Sequence, residues 1–279
     1  MKNIITLIVA IFCLMLAGQA SAQVDVRVTP VRGQFLVGEN VQLELKISNN
    51  TDTVLVLDNT PDRPWLHFTV TRSGSSQPLP PKVVPVFSKT VINAGSAKKV
   101  VVNLRPFFHF NKDGVYRIVG TVRMPDMQTT YSSPRATFTL SNGGTVKTFD
   151  IQNRGRRLKM HVKMMRAGDK DCLFGQVVNA DSGAVVGACY MGQYLNFMNP
   201  RIMMDRGQNL HVLCQSTPTY FTYSVMGADG ARKSYQVFQR TGGPVELVTT
   251  GKGIRPIGLV PAKQPKPGST DNYRPITDR

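Results

Sequence analysis

Acidic residues are scarce in this chain, and glutamate most of all. Of its 279 residues, 17 are Asp or Glu against 34 Lys or Arg, and the glutamates are Glu39, Glu44 and Glu246 alone. Glutamate is a main filler of exposed helix faces, so its near absence argues against a protein of long surface helices. Charged residues make up 18% of the chain, too little for a coiled coil or a charged solenoid. Cysteine occurs four times and tryptophan once. No C-x-x-C is present, so neither a dithiol redox centre nor a zinc knuckle finds its spacing. There is no G-x-S-x-G, and beyond the first 22 residues no apolar run of about 18 residues that would span a membrane. What remains is 41% hydrophobic and 8% aromatic, enough for a real core and incompatible with wholesale disorder.

Residues 1–22 read as an export signal. Lys2 supplies the positive start, Ile4 to Ala17 the apolar stretch, and Ala20-Ser21-Ala22 the small-residue cleavage site. Cys13 lies inside the apolar stretch after Ile11-Phe12, unlike a lipidated cysteine, which follows a small residue. The expected location is the periplasm or the outer cell surface. Cleavage leaves Cys172, Cys189 and Cys214, and an oxidising compartment permits a disulfide. The expected pair is Cys189 with Cys214, each in the middle of an apolar run, because Cys172 follows the polar turn Asp169-Lys170-Asp171.

The rest of the chain reads as strands. Val41 to Ile47 alternates apolar and polar without a break, and Leu66 to Val70 does the same. Further alternating sets are Val100, Val102 and Leu104; Tyr116, Ile118, Val122 and Met124; and Ala136, Phe138 and Leu140. Turn residues separate them at Asn49-Asn50, Asp58 to Pro61, Gly74, Pro78 to Pro81 and Asp113-Gly114. About seven short strands in about 120 residues is the rhythm of an antiparallel sandwich. Asn142-Gly143-Gly144 marks a junction, after which Asp181 to Gly183, Arg206-Gly207 and Asp229-Gly230 punctuate a second β region as hairpin turns. The expected fold class is all-β: a first antiparallel domain over 23–144, a second over 145–260, and a flexible proline- and lysine-containing tail over 261–279.

Phe35-Leu36-Val37-Gly38-Glu39-Asn40-Val41, followed by Leu43, Leu45, Ile47 and Asn49, resembles the second-strand pattern of bacterial immunoglobulin-like domains. Asp113-Gly114-Val115-Tyr116 resembles the tyrosine corner of that fold. The cysteine–tryptophan–cysteine framework of antibody domains is missing. The resemblance implies a buried Tyr116 and a sandwich architecture; it implies no ligand. Asp205 to Val212 is similar to the opening of a strand in some secreted β-propeller blades. About 110 residues hold too few blades for a full propeller, so a second sandwich or small barrel is expected.

Catalytic patterns are thin. His67 alternates with Leu66 and Phe68, and His211 with Leu210 and Val212, so each is expected to face solvent from a sheet. Cys214 is three residues from His211 and therefore on the other face of the strand. Asp169, Asp171, Asp181, Asp205 and Asp229 sit in turn settings, where a carboxylate commonly bonds nearby backbone. Eight of the twelve methionines fall in the second half. Core filling explains them, with an adaptable protein-binding surface or a thioether copper site near His161 as alternatives. No cofactor and no metal site is expected.

Positive charge is the strongest functional signal. The chain carries +17, or +16 without Lys2. Lys147, Arg154, Arg156, Arg157, Lys159, Lys163 and Arg166 face only Asp150 in the same stretch. As a strand, this segment turns Leu158, Met160 and Val162 inward and Arg157, Lys159, His161 and Lys163 outward. Arg154, Arg156, Arg157, Lys159 and Lys163 are the candidate anion-binding residues. The expected function is a non-catalytic binding or assembly module of the bacterial envelope. Its partner would be a protein or a polyanion such as lipopolysaccharide or acidic glycan; no motif for specific nucleic-acid reading is present. The alternative is an enzyme or metal-handling protein with its site in the second β domain.

Overall fold

The computed structural model describes residues 23–60, 63–83, 85–125, 128–251 and 253–262. The expected export signal and nearly all of the expected tail lie outside these residues. Strands make up the described fold, which contains no helix. Pairing is mainly antiparallel, and β2 pairs with β10 in parallel. The chain divides into two compact units.

Unit 1 comprises residues 23–31, 41–109 and 115–138. Its first sheet joins β1 (Val24–Pro30), β3 (Gln42–Asn49) and β7 (Ala97–Asn103); β2 (Gln34–Leu36) belongs to unit 2. A short ladder pairs β4 (Leu55–Leu57) with β6 (Thr90–Ile92). The second sheet joins β5 (Leu66–Arg72), β8 (Gly114–Arg123) and β9 (Thr130–Ser132). Strand β3 buries Leu43, Leu45 and Ile47 and half-buries the polar residues between them, as its alternation predicts. The two sheets meet face to face. A Cβ on Gly120 of β8 would lie 2.7 Å from Val28 Cγ2 of β1. Tyr116 is buried and stacks on Phe138 of β10 (Ala136–Ser141), with centroids 5.4 Å apart and planes 8° from parallel.

Unit 2 comprises residues 32–40, 110–114 and the described residues from 139 to 262, so its first contribution comes from inside the expected first domain. Strand β2 pairs in parallel with residues 139–141 of β10. Two antiparallel meanders follow. The first is β11 (Gly144–Asn153), β12 (Arg156–Ala167), β13 (Lys170–Asn179) and β14 (Val185–Gln193). The second is β15 (Arg201–Met204), β16 (Leu210–Gln215), β17 (Tyr220–Met226) and β18 (Arg232–Arg240), with β21 (Leu259–Pro261) added at its edge. Each has the up-and-down strand order of a propeller blade. The hairpin β19 (Glu246–Thr250) and β20 (Gly253–Ile257) forms a small separate sheet. Pro261 pairs with Phe238, so the first residue of the expected tail belongs to a strand.

The meanders stack through one core of Leu158, Met160, Val162, Leu173, Met191, Leu210, Val212 and Met226. Methionine serves here as irregular filling: Met226 and Met191 sulfurs occupy the space over Gly175. The far face of each meander is also covered. Leu36 packs with Met165, Phe174 and Tyr190 on the first, and Leu247 and Ile254 with Phe221, Tyr223 and Phe238 on the second.

Candidate anion-binding face

The β11–β12 hairpin turns through two residues, Arg154 and Gly155, between paired Asn153 and Arg156. Both have positive φ, 49° and 74°, the backbone of a type I′ turn. That turn favours Asn-Gly, and arginine is an uncommon first residue in it. Beyond the turn, β12 alternates as its sequence predicts. Leu158, Met160 and Val162 are buried in the core, while Arg157 and Lys159 are exposed and His161 and Lys163 half-buried on the opposite face.

Part of that opposite face is packed, and Leu36 reaches Met165 of β12 as well as β13 and β14. Segment 34–38 lies on β13 and β14, where Gln176 Nε2 donates to the Val37 carbonyl at 2.8 Å and Leu36 meets Phe174 and Tyr190. The β11–β12 half carries Arg157, Lys159, His161 and Lys163, with Thr148, Asp150 and Gln152 on the neighbouring strand. Alternate residues on a strand repeat at about 6.6 Å, so the charged row from Arg157 to Lys163 spans roughly 20 Å. Thr148 Oγ1 lies 2.9 Å from His161 Nδ1. Burial, then Lys163 and Lys159, hold the His161 imidazole below its usual range against an opposing pull from Asp150. Burial also lowers the Lys163 ammonium.

The five candidate residues do not form one array. Arg157, Lys159 and Lys163 share a face. Arg156 alternates to the other side, and Arg154 stands at the hairpin tip. Two carboxylates temper the row. Asp150 is directly across from Lys159, and Asp181 of the β13–β14 turn pairs with Arg157 at 3.3 Å. The second was invisible in sequence because it lies 24 residues away. Both partners are well exposed, so the ion pair adds little stability and leaves the arginine available.

The expected Cys189–Cys214 bridge is not formed: Cys172, Cys189 and Cys214 are all buried free thiols. The two strands belong to different sheets, and each sulfur has other company. Cys189 Sγ lies 3.7 Å from Met191 Sδ, and Cys214 Sγ 3.0 Å from Thr222 Oγ1. Burial pushes the Cys172 thiol up to about 11 and the Cys214 thiol up to about 12, which disfavours the thiolate that disulfide exchange requires.

His67 is exposed as expected; His211 is not. It is 6% exposed beneath the β19–β20 hairpin, with Nε2 3.0 Å from Asp205 Oδ2 and Nδ1 2.6 Å from the Tyr223 hydroxyl. Asp205 also accepts from Asn209 backbone and side chain at 2.8 and 2.9 Å. Burial alone would raise the Asp205 carboxyl; the bonds from Asn209 and His211 outweigh it and hold it down at about 2. The pattern Asp205-x3-Asn209-x-His211 was the available signal, an Asx-type turn leading into a strand. Among the described residues, no group of three His, Cys, Asp or Glu side chains is placed to hold a metal ion, and no helix is long and apolar enough to cross a membrane. No known protein-family model matches this sequence, and a search among curated proteins finds no relative.

Proposed function

We propose that this protein is an exported, non-catalytic binding or assembly module of the bacterial envelope, and that the basic face of the β11–β12 hairpin receives an anionic partner such as lipopolysaccharide or an acidic glycan. The observation that carries the reading is the row Arg157, Lys159 and Lys163 on one face of β12, with the exposed Asp150 and Asp181 beside it. A row of cations raises the local concentration of polyanions and gains by counterion release on contact. In this reading unit 1 is the immunoglobulin-like part. Its two facing sheets and buried Tyr116 support that assignment. The two stacked meanders of unit 2 fit a propeller-like module with an exposed edge hairpin.

The test is retention on immobilised heparin and on lipopolysaccharide resin across a salt gradient. The variant Arg157→Gln/Lys159→Gln/Lys163→Gln should elute at markedly lower salt than the wild type, because each lost contact removes about 0.7–0.9 from the log–log salt slope on a nucleic-acid-like polyanion. Its circular dichroism should match the wild type. Co-elution of the two proteins on both resins rejects the reading.

The hairpin tip gives a second expectation. Asparagine is at home where Arg154 takes φ 49°, so Arg154→Asn should stabilise the protein by about 0.5–1 kcal/mol. If the tip contacts the polyanion, the same variant should elute earlier from heparin. Gain of stability with unchanged elution would remove Arg154 from the site and leave the β12 row intact.

A further inference from the structure

Three acceptors draw on the protons of His211 and Tyr223. Asp205 Oδ2 lies 3.0 Å from Nε2, the Tyr223 oxygen 2.6 Å from Nδ1, and the Tyr223 hydroxyl reaches the Ile254 carbonyl at 3.0 Å. Tyr223 has one proton to give, and a carboxylate and a carbonyl only accept. If Tyr223 donates to Ile254, Nδ1 must carry a proton to donate to the tyrosine oxygen. Nε2 must carry another to serve Asp205. All three bonds coexist only when the ring is an imidazolium. A neutral ring with its proton on Nε2 takes the tyrosine proton at Nδ1 and strips Ile254 of its donor. A neutral ring with its proton on Nδ1 turns a lone pair toward the carboxylate.

The acceptor at stake belongs to a different element from the ring. His211 and Tyr223 sit on β16 and β17, whereas Ile254 is in β20 of the hairpin that covers their apolar face. That hairpin rests on Leu213, Phe221, Tyr223 and Phe238 through Leu247 and Ile254. The charged and titratable side chains that reach the network are Asp205 after β15, Tyr223 on β17 and, through a 2.6 Å bond to Asn209, Lys233 on β18. From β20 comes a backbone carbonyl.

We propose that Asp205, His211 and Tyr223 form a proton-operated clasp: protonated His211 ties the β19–β20 hairpin to the β16–β17 strands through Ile254, and loss of that proton frees the tether and loosens the cover over the apolar face. The sign follows from the count. The clasp is closed while both ring nitrogens carry protons, the acidic side, and opens when rising pH removes one of them. This device is independent of the basic face, which lies on another sheet.

Amide hydrogen exchange of the full chain between about pH 5 and 8, corrected for intrinsic rates, tests it. Exchange in peptides covering 246–257 should rise about five- to ten-fold across that range, the equivalent of one lost hydrogen bond, while β12–β13 peptides stay constant. Tyr223→Phe should exchange fast in 246–257 at every pH, with no step. Asp205→Asn, which keeps an acceptor but removes the charge favouring the imidazolium, should move the step to lower pH. Ring-nitrogen NMR of His211 should cross from charged to neutral at the pH of the step. A flat corrected profile in the wild type, a ring already neutral at pH 5 with the hairpin protected, or a step that survives in Tyr223→Phe overturns the proposal. If Tyr223→Phe fails to fold, an unmoved step in Asp205→Asn does the same.

Discussion

Arg32→Leu is expected to destabilise unit 2 by about 3–5 kcal/mol, although the new side chain is apolar and its surroundings are largely buried. Arg32 forms an ion pair with Glu39, and the two side chains are only 13% and 5% exposed. The guanidinium also lies over two rings, 4.7 Å from the Phe35 centroid and 5.9 Å from that of Phe174. Glu39 Oε2 accepts from the Leu36 amide at 3.0 Å, while the Glu39 amide donates back to the Leu36 carbonyl at 2.9 Å. The pair therefore pins the turn that seats segment 34–38 on β13 and β14. Removing the arginine strands a carboxylate in a poorly solvated site, and such loss of one partner is far costlier than the net worth of the pair. Arg32→Leu/Glu39→Gln should recover most of the loss, because glutamine still accepts from Leu36 and carries no charge. The pair is not ideally satisfied: Arg32 Nη1 is buried without a hydrogen-bond partner among the described residues. Urea unfolding followed by circular dichroism reads the effect. The single tryptophan, Trp65, lies in unit 1 and gives that unit a separate fluorescence signal. A single variant within 1 kcal/mol of wild type would mean that the pair is effectively solvated.

Local periodicity carried much of this architecture into view. The alternation in β3, β5 and β8 placed the strands and the buried side of each, and in β12 it separated Leu158, Met160 and Val162 from the basic row. Three-residue strands such as β2, β4, β6 and β9 are too short to show a period, and they were not anticipated. What alternation cannot reveal is which of a strand's two faces is later covered. His211 alternates like His67, yet the β19–β20 hairpin closes over one and leaves the other exposed. The same limit hid the role of segment 32–40. The bond from Gln176 to Val37 spans 139 residues, so the run Phe35 to Val41 read as part of the first domain, whereas Phe35 to Asn40 belong to unit 2. The basic row itself was legible because it needs only composition and a period of two. Its attenuation by Asp181 was not, because a salt bridge across a turn leaves no trace in spacing.

Gly230→Ala should be among the most damaging single-methyl changes in the chain, costing about 3–4 kcal/mol. Gly230 sits in the β17–β18 turn with φ +77°, a conformation that costs an alanine roughly 1 kcal/mol. The rest of the cost is contact. A Cβ there would lie 2.5–2.7 Å from the backbone C, Cα and O of Gly187 in β14, and backbone cannot rotate away as a side chain can. The approach is mutual, since a Cβ on Gly187 would lie 2.4 Å from the Asp229 carbonyl oxygen. Two backbones thus touch where the edge of one meander meets a turn of the other, and further along the same strand the Ser224 hydroxyl donates to the Met191 carbonyl at 2.6 Å. Gly183→Ala separates the two contributions. Gly183 has nearly the same φ, +70°, with nothing within 4 Å of its missing Cβ, so it should lose only about 1 kcal/mol. Gly187→Ala should cost as much as the clash in Gly230→Ala, and the double variant should fall well short of the sum, because the first methyl already forces the sheets apart. Thermal or urea unfolding of the four proteins decides. Equal losses for Gly230→Ala and Gly183→Ala would show that the meanders part easily at this point and that the core of Met160, Leu173, Met191 and Met226 alone holds them together.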